Sequence, residues 1–159
     1  MMAELNPGDP APDVTLTTPE GGTLTLSQLR GRPLVLYFYP KDDTSGCTRE
    51  AQDFSHHKAA FDSAGVDILG VSKDPPAKHV KFAAKHNLTV SLASDEDGSV
   101  CEAFGTWIEK SLYGRKYMGI DRATFLIDKD GRIAKIWRKV KVPGHAEAVL
   151  AAAEELVRG

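Results

Sequence analysis

An uninterrupted apolar run near the start of the chain most restricts how the chain can fold. Residues 33–39 read Pro-Leu-Val-Leu-Tyr-Phe-Tyr, so every position is apolar or aromatic. A strand with one solvent face would alternate between apolar and polar residues. The run therefore predicts a central strand that is covered on both faces. Pro40 ends it.

The rest of the chain provides elements that could cover this strand. Helices are predicted at about 46–63, 75–86, 97–104 and 143–157, and further strands at 66–72, 89–93, 123–128 and 133–137. Short β-branched runs at 14–16 and 23–26 flank a Pro/Gly cluster and predict an N-terminal β-hairpin extension. Residues 105–117 are predicted to form an apolar loop. Strands that alternate with helices predict an α/β fold with a central mixed sheet flanked by helices.

Composition limits the class of protein. The 159 residues suit a single domain over 1–159, and 42% apolar with 26% charged residues excludes a disordered chain. A net charge of −2 argues against nucleic acid as a partner. No apolar run is long enough for a membrane span. The first residues lack a secretory signal pattern, so we expect a cytoplasmic protein.

The cysteines and histidines do not predict a metal site. Two cysteines, Cys47 and Cys101, are too few for a disulfide framework or an all-cysteine zinc site. The five histidines show no metal-ligand spacing. The two thiols are therefore either buried and inert or reactive.

Cys47 occupies a position that suits a reactive thiol. A buried strand ends, a loop follows, and Cys47 falls in the first turn of a predicted helix. The free N–H groups and the dipole at a helix N-terminus favour thiolate over thiol. Thr44, three residues earlier, can offer its hydroxyl to the thiolate or to a bound oxygen. An inert packing thiol would fit the same position, so the position alone leaves both interpretations open.

Two segments resemble a known family. Residues 38–51 read FYPKDDTSGCTREA and contain the pattern Pro40-x3-Thr44-x2-Cys47, and residues 113–128 read YGRKYMGIDRATFLID. Both are similar to the peroxiredoxins, in particular to the bacterioferritin comigratory protein (PrxQ) subfamily. The resemblance extends from about Gly8 to about Leu156.

The resemblance implies a thioredoxin-like fold and thiol-dependent reduction of hydrogen peroxide and organic hydroperoxides, without metal or cofactor. Cys47 would be the peroxidatic residue and would become a sulfenic acid. Pro40 would shield the sulfur, Thr44 would hydrogen-bond the peroxide, and Arg122 would stabilise the thiolate and the developing charge. An ordinary surface ion pair is the alternative for Arg122.

Glu50 is a candidate supporting residue. It lies one helical turn after Cys47 and could orient Arg122 through a bidentate pair. A solvated acid that favours the helix dipole is the alternative.

The chain departs from the family pattern in its second cysteine. Many relatives carry a resolving cysteine five residues after the first, where this chain has Gln52, and others carry one in the following helix, which here has none. We expect Cys101 to be a packing thiol, with a resolving role as the alternative. The expected mechanism is therefore of one-cysteine type, with thioredoxin, glutaredoxin or a small dithiol as reductant. The resemblance also implies a monomer.

Two other functions are compatible with a thioredoxin-like fold. One is a binding or chaperone module without turnover, which the set of Pro40, Thr44, Cys47 and Arg122 argues against. The other is a disulfide oxidoreductase, which needs a Cys-x-x-Cys pair. Residue 50 is Glu, so this second function is disfavoured.

Overall fold

The computed structural model describes residues 4–159. Its strands are β1 (Thr15–Thr17), β2 (Thr23–Thr25), β3 (Leu34–Phe38), β4 (Asp67–Ser72), β5 (Ser91–Ser94), β6 (Trp107–Leu112), β7 (Arg115–Ile120), β8 (Ala123–Ile127) and β9 (Ile133–Trp137). Its helices are α1 (Ser45–His56), α2 (Lys58–Ala64), α3 (Pro76–His86), α4 (Ser99–Ala103) and α5 (His145–Arg158), with a short 3₁₀ helix at Leu26–Leu29. None of the helices within residues 4–159 combines the length and the apolarity that a bilayer span requires.

Seven strands form one mixed sheet in the order β2-β1-β5-β4-β3-β8-β9. The predicted central strand is confirmed, because β3 pairs in parallel with β4 and antiparallel with β8, and all five of its residues are buried. The N-terminal hairpin is confirmed as well and extends the sheet at one edge, with Leu16 opposite Leu24. The predicted α/β class with a central mixed sheet is therefore correct.

The side chains of β3 alternate between two hydrophobic cores. Leu36 and Phe38 point to the face that packs against α4 and the 3₁₀ helix, called here the α4 face. Val35 and Tyr37 point to the face covered by α1, α2, α3 and α5, called here the α1 face. This two-sided burial explains why the sequence of β3 shows no polar alternation.

A glycine on β4 makes room for a large side chain of the α1 face. The Tyr37 ring crosses Gly70, where an added Cβ would lie 2.6 Å from Tyr37 Cζ. The ring also stacks on Phe54, with centroids 4.7 Å apart. Gly70 therefore permits the aromatic packing beneath α1.

Two predicted segments differ in the structure. The apolar loop predicted for residues 105–117 is wrong, because β6 and β7 form a separate two-stranded hairpin there. Its turn residues, Tyr113 and Gly114, both have positive φ angles, 51° and 79°. Tyr-Gly is not the usual Asn-Gly or Asp-Gly turn signal. Most residues of β7 are exposed, so no alternation of buried apolar and exposed polar residues predicted this strand.

The helix predicted for residues 46–63 is two helices. His57 interrupts it with φ −96° and ψ 5°, between the end of α1 and the start of α2. The apolar spacing continues across His57, since Phe54 and Phe61 are both buried. The sequence pattern therefore predicted the buried face correctly and missed the break.

Candidate active site

The carboxyl end of β3 leads directly to Cys47. β3 ends at Phe38, a loop follows, and α1 begins at Ser45. Thr44 is the N-cap residue of α1, and its carbonyl accepts a hydrogen bond from the Thr48 N–H at 2.8 Å. Cys47 therefore lies in the first turn, as predicted, with only 1% of its surface exposed.

Arg122 reaches Cys47 from the neighbouring strand. It directly precedes β8, whose first residue, Ala123, pairs with Phe38 at the end of β3. This register places Arg122 at the same sheet edge as Cys47. Its Nη2 donates to Cys47 Sγ at 3.4 Å, and its Nη1 donates to Glu50 Oε1 at 2.7 Å. Arg122 therefore does not form the ordinary surface ion pair that was the alternative for it.

The guanidinium of Arg122 is shared between two acceptors. The predicted bidentate pair with Glu50 is wrong, because one terminal nitrogen contacts the carboxylate and the other contacts the sulfur. Burial lowers the pKa of Arg122, but the charges of Glu50 and Cys47 outweigh it and raise that pKa above its usual value. Arg122 therefore stays charged and orders the sulfur and the carboxylate together.

Glu50 is buried rather than solvated. Only 1% of its surface is exposed, and its Oε2 has no hydrogen-bond partner within residues 4–159. Burial raises the pKa of Glu50 to about 7, although the charge and hydrogen bond of Arg122 lower it in part. Glu50 consequently changes its charge near neutral pH, one turn away from the thiol.

Thr44 and Pro40 both lie in the segment between β3 and α1. The Thr44 hydroxyl donates to the Lys41 carbonyl at 2.9 Å. Its oxygen lone pairs remain available, so Thr44 can accept a hydrogen bond from the O–H of a hydroperoxide. Pro40 is half-buried and lies two residues after the end of β3. Its shielding role stays a prediction.

His145 is a further group near Arg122 that the sequence did not reveal. It begins α5, and its Nε2 lies 2.8 Å from Thr124 Oγ1 on β8. Burial, followed by the charge of Arg122, lowers the pKa of His145 to about 4. His145 is therefore neutral at physiological pH. No local motif marks it, because its position depends on how α5 packs on the sheet.

Cys101 lies away from this site. It is 0% exposed and packs on the α4 face with Phe38 and Phe104, whereas Cys47 packs on the α1 face. Burial, reinforced by a hydrogen bond with Asp95, raises the pKa of the Cys101 thiol far above its usual range. The sheet therefore separates a thiol at a helix N-terminus from one enclosed in the opposite core.

Comparisons with known proteins cover most of the chain. Residues 7–136 match the AhpC/TSA family. The putative peroxiredoxin bcp of Coxiella burnetii is 49% identical over 143 residues, which are 90% of this chain and 95% of that protein. Peroxiredoxin Bcp of Bacillus subtilis is also 49% identical over 143 residues, 90% of this chain and 91% of that one. A structure of Xanthomonas campestris peroxiredoxin Q aligns with a TM-score of 0.86 at 46% identity, covering 91% of each chain.

We expect Glu50→Gln to change how stability depends on pH. The pKa of Glu50 is raised from 4.5 to about 7 in the folded protein. Glu50 therefore contributes stability below pH 4.5 that is lost as pH rises through about 7. We compare the free energy of unfolding of the parent with that of Glu50→Gln. The difference, parent minus variant, should fall by about 3 kcal/mol between pH 4.5 and about pH 7, at 1.36 kcal/mol per pKa unit. Urea unfolding at several pH values measures it.

Glu154→Gln is the matched control, because Glu154 is an exposed carboxylate on α5. Its stability difference from the parent should not change with pH. A Glu50→Gln difference that is equally flat would show that the Glu50 carboxyl titrates as an ordinary acid.

Proposed function

The chain belongs to the AhpC/TSA family and is a peroxiredoxin of the Bcp (PrxQ) type, a thiol peroxidase, and on this basis we propose that it reduces hydrogen peroxide and organic hydroperoxides through Cys47 alone. The observation that carries the proposal is the contact between the Arg122 guanidinium and the Cys47 sulfur at the N-terminus of α1. A fixed cation and free helix N–H groups favour the thiolate, which is the nucleophilic form.

The first half-reaction oxidises Cys47. The thiolate sulfur attacks one oxygen of the hydroperoxide, an S–O bond forms and the O–O bond breaks. The leaving oxygen takes up a proton and departs as water or alcohol, while Cys47 becomes a sulfenic acid. Arg122 and the N-terminal amides of α1 stabilise the charge that develops on the leaving oxygen. Thr44 orients the hydroperoxide by accepting its O–H, and Pro40 limits access of water.

The second half-reaction uses an external thiol. One reductant thiol attacks the sulfenic sulfur and releases water, and a second thiol then frees Cys47 as the reductant becomes a disulfide. Thioredoxin, glutaredoxin or a small dithiol provides these electrons. Such reductants are maintained in a reducing compartment, so we place the enzyme in the cytoplasm. A monomeric state stays a prediction.

Several features support the one-cysteine mechanism. Gln52 occupies the position where many relatives carry a resolving cysteine, and α3 contains no cysteine. Cys101 and Cys47 lie on opposite faces of the sheet. A disulfide needs Cα atoms within about 7 Å, so a two-cysteine cycle would require the first turn of α1 or helix α4 to leave its packed position.

We propose a single folding unit over 1–159; residues 1–3 lie outside the described part of the chain, and the sheet supports the proposal for residues 4–159. The N-terminal hairpin and the C-terminal hairpin β8–β9 belong to the same seven strands. The final helix, α5, contributes Val149 and Ala153 to the core of the α1 face.

We expect Cys47→Ser to abolish peroxide consumption and Cys101→Ser to retain it. Serine at position 47 cannot form a sulfenic acid, whereas Cys101 serves as packing. Turnover of hydrogen peroxide with dithiothreitol and with thioredoxin measures both variants. A parental rate in Cys47→Ser would show that Cys47 is not the peroxidatic residue, whereas a parent that consumes no peroxide would support a binding module over a peroxidase. Loss of thioredoxin-dependent turnover in a folded Cys101→Ser would make Cys101 the resolving residue.

We expect Arg122→Lys and Arg122→Ala to lower the rate constant for oxidation of Cys47 by roughly 10²–10³-fold, the usual cost of removing one charge-stabilising donor. Lysine keeps the charge but has no planar fork that reaches Glu50 and Cys47 together. Stopped-flow kinetics with hydrogen peroxide measure the rate constant. Arg49→Lys is the control, since Arg49 is an exposed arginine on α1 that pairs with Asp53. A parental rate in Arg122→Ala would remove Arg122 from the site.

A further inference from the structure

A buried polar cluster lies behind the segment Pro40–Thr44, called here the Pro40 loop. Asp42 of this loop is 7% exposed, and His79 of α3 is 0% exposed. His79 Nδ1 lies 2.7 Å from Asp42 Oδ2, and His79 Nε2 lies 3.0 Å from the Ala93 carbonyl oxygen. Both ring nitrogens of a fully buried histidine therefore face oxygen atoms.

Hydrogen-bond counting shows that Asp42 and His79 share a proton. The Ala93 carbonyl can only accept, so Nε2 carries a proton. Burial raises the pKa of the Tyr39 hydroxyl far above its usual value, so this hydroxyl stays protonated, and it donates to Asp42 Oδ1 at 2.5 Å rather than to His79 Nδ1, which lies 3.3 Å away. The contact between Oδ2 and Nδ1 then needs a proton of its own, held by either atom. A carboxylate facing a neutral Nδ1 would place two lone pairs together.

The same loop is held at further points. The Asp42 N–H donates to Asp74 Oδ2 at 2.7 Å, and the Ser72 hydroxyl donates to that same oxygen at 2.7 Å. Asp43 adopts a φ of 60°, a conformation uncommon for non-glycine residues. Its side chain contacts Lys85 at 2.7 Å and His86 at 2.8 Å on α3. Thr44 follows at once as the N-cap of α1.

Anchoring α3 to the core does not require an ionisable pair. Phe82, one turn after His79, already anchors this helix and is 2% exposed. The pair of His79 and Asp42 adds a hydrogen bond of defined direction between α3 and one side-chain oxygen of the Pro40 loop. The loop connects β3 to the helix that carries Cys47, so a shift of Asp42 would be passed to Pro40 and Thr44.

We propose that His79 is a positioning residue of the peroxidase site, which holds the Pro40 loop through its proton-sharing contact with Asp42 and so keeps Thr44 in place for the hydroperoxide. This inference rests on the proposed function of Cys47. It gives a role in the reaction to a residue that touches neither the sulfur nor the substrate.

Three variants distinguish the contact between His79 and Asp42 from the other contacts of the Pro40 loop. His79→Gln keeps a donor for the Ala93 carbonyl but offers nothing to Asp42 Oδ2. Asp42→Asn can donate to a neutral Nδ1 and still accept from Tyr39, so it restores the link without the shared proton. His86→Gln is the control, because it makes the same substitution in a histidine that contacts Asp43 on the exposed side of the same loop.

The first measurement is the rate constant for oxidation of Cys47 by hydrogen peroxide. We expect a loss of at least about tenfold in His79→Gln, since a small misplacement in an active site can cost up to about 10²-fold. Asp42→Asn and His86→Gln should stay close to the parent. Hydrogen exchange at the Asp42 and Thr48 amides should be faster in His79→Gln alone. A folded His79→Gln with parental oxidation and exchange rates would overturn the proposal.

The second measurement needs no activity and remains available if His79→Gln does not fold. Proton NMR of the parent should show a protected, far-downfield proton that disappears in Asp42→Asn. Absence of that signal in the parent would overturn the proposal. If the parent itself fails to react with peroxide, the proposed function fails, and the exchange rates and this signal still decide whether His79 holds the loop.

Discussion

The site depends on one guanidinium that serves two acceptors. Arg122 donates through Nη1 to Glu50 and through Nη2 to the sulfur of Cys47. Because Glu50 and Cys47 lie one turn apart on α1, the same planar group orders both. The buried carboxylate of Glu50 offsets part of the positive charge of Arg122, and the remaining positive potential acts on the sulfur of Cys47. The burial that this arrangement requires raises the pKa of the Glu50 carboxyl to about 7.

The sheet determines which groups can meet. The pairing of Phe38 with Ala123 brings the end of β3 beside the start of β8, so Arg122 and Cys47 share an edge although 75 positions separate them in the chain. The same sheet keeps Cys101 in the opposite core. One architecture thus assembles the charge-stabilising pair and separates the two thiols. The external-thiol mechanism proposed above rests on this separation.

Local pattern predicted much of this arrangement. The apolar run of β3 and the loop after it predicted a central strand followed by a helix with Cys47 in its first turn. The divided contacts of Arg122 could not be predicted, because they depend on strand register and on rotamers. The contact between Asp42 and His79 joins residues 37 positions apart, and no spacing rule connects them. The β6–β7 hairpin escaped detection because its strands are largely exposed and its turn is Tyr-Gly.

The one-cysteine mechanism can be tested by the mass of the protein after one equivalent of hydrogen peroxide, followed by peptide mapping. The one-cysteine mechanism predicts a gain of one oxygen atom, located on Cys47, while Cys101 remains a thiol that is alkylated once the protein is unfolded. A loss of two hydrogen atoms, with the Cys47 and Cys101 peptides joined by a disulfide, would contradict it. That result would mean that the first turn of α1 or helix α4 leaves its packed position in each catalytic cycle.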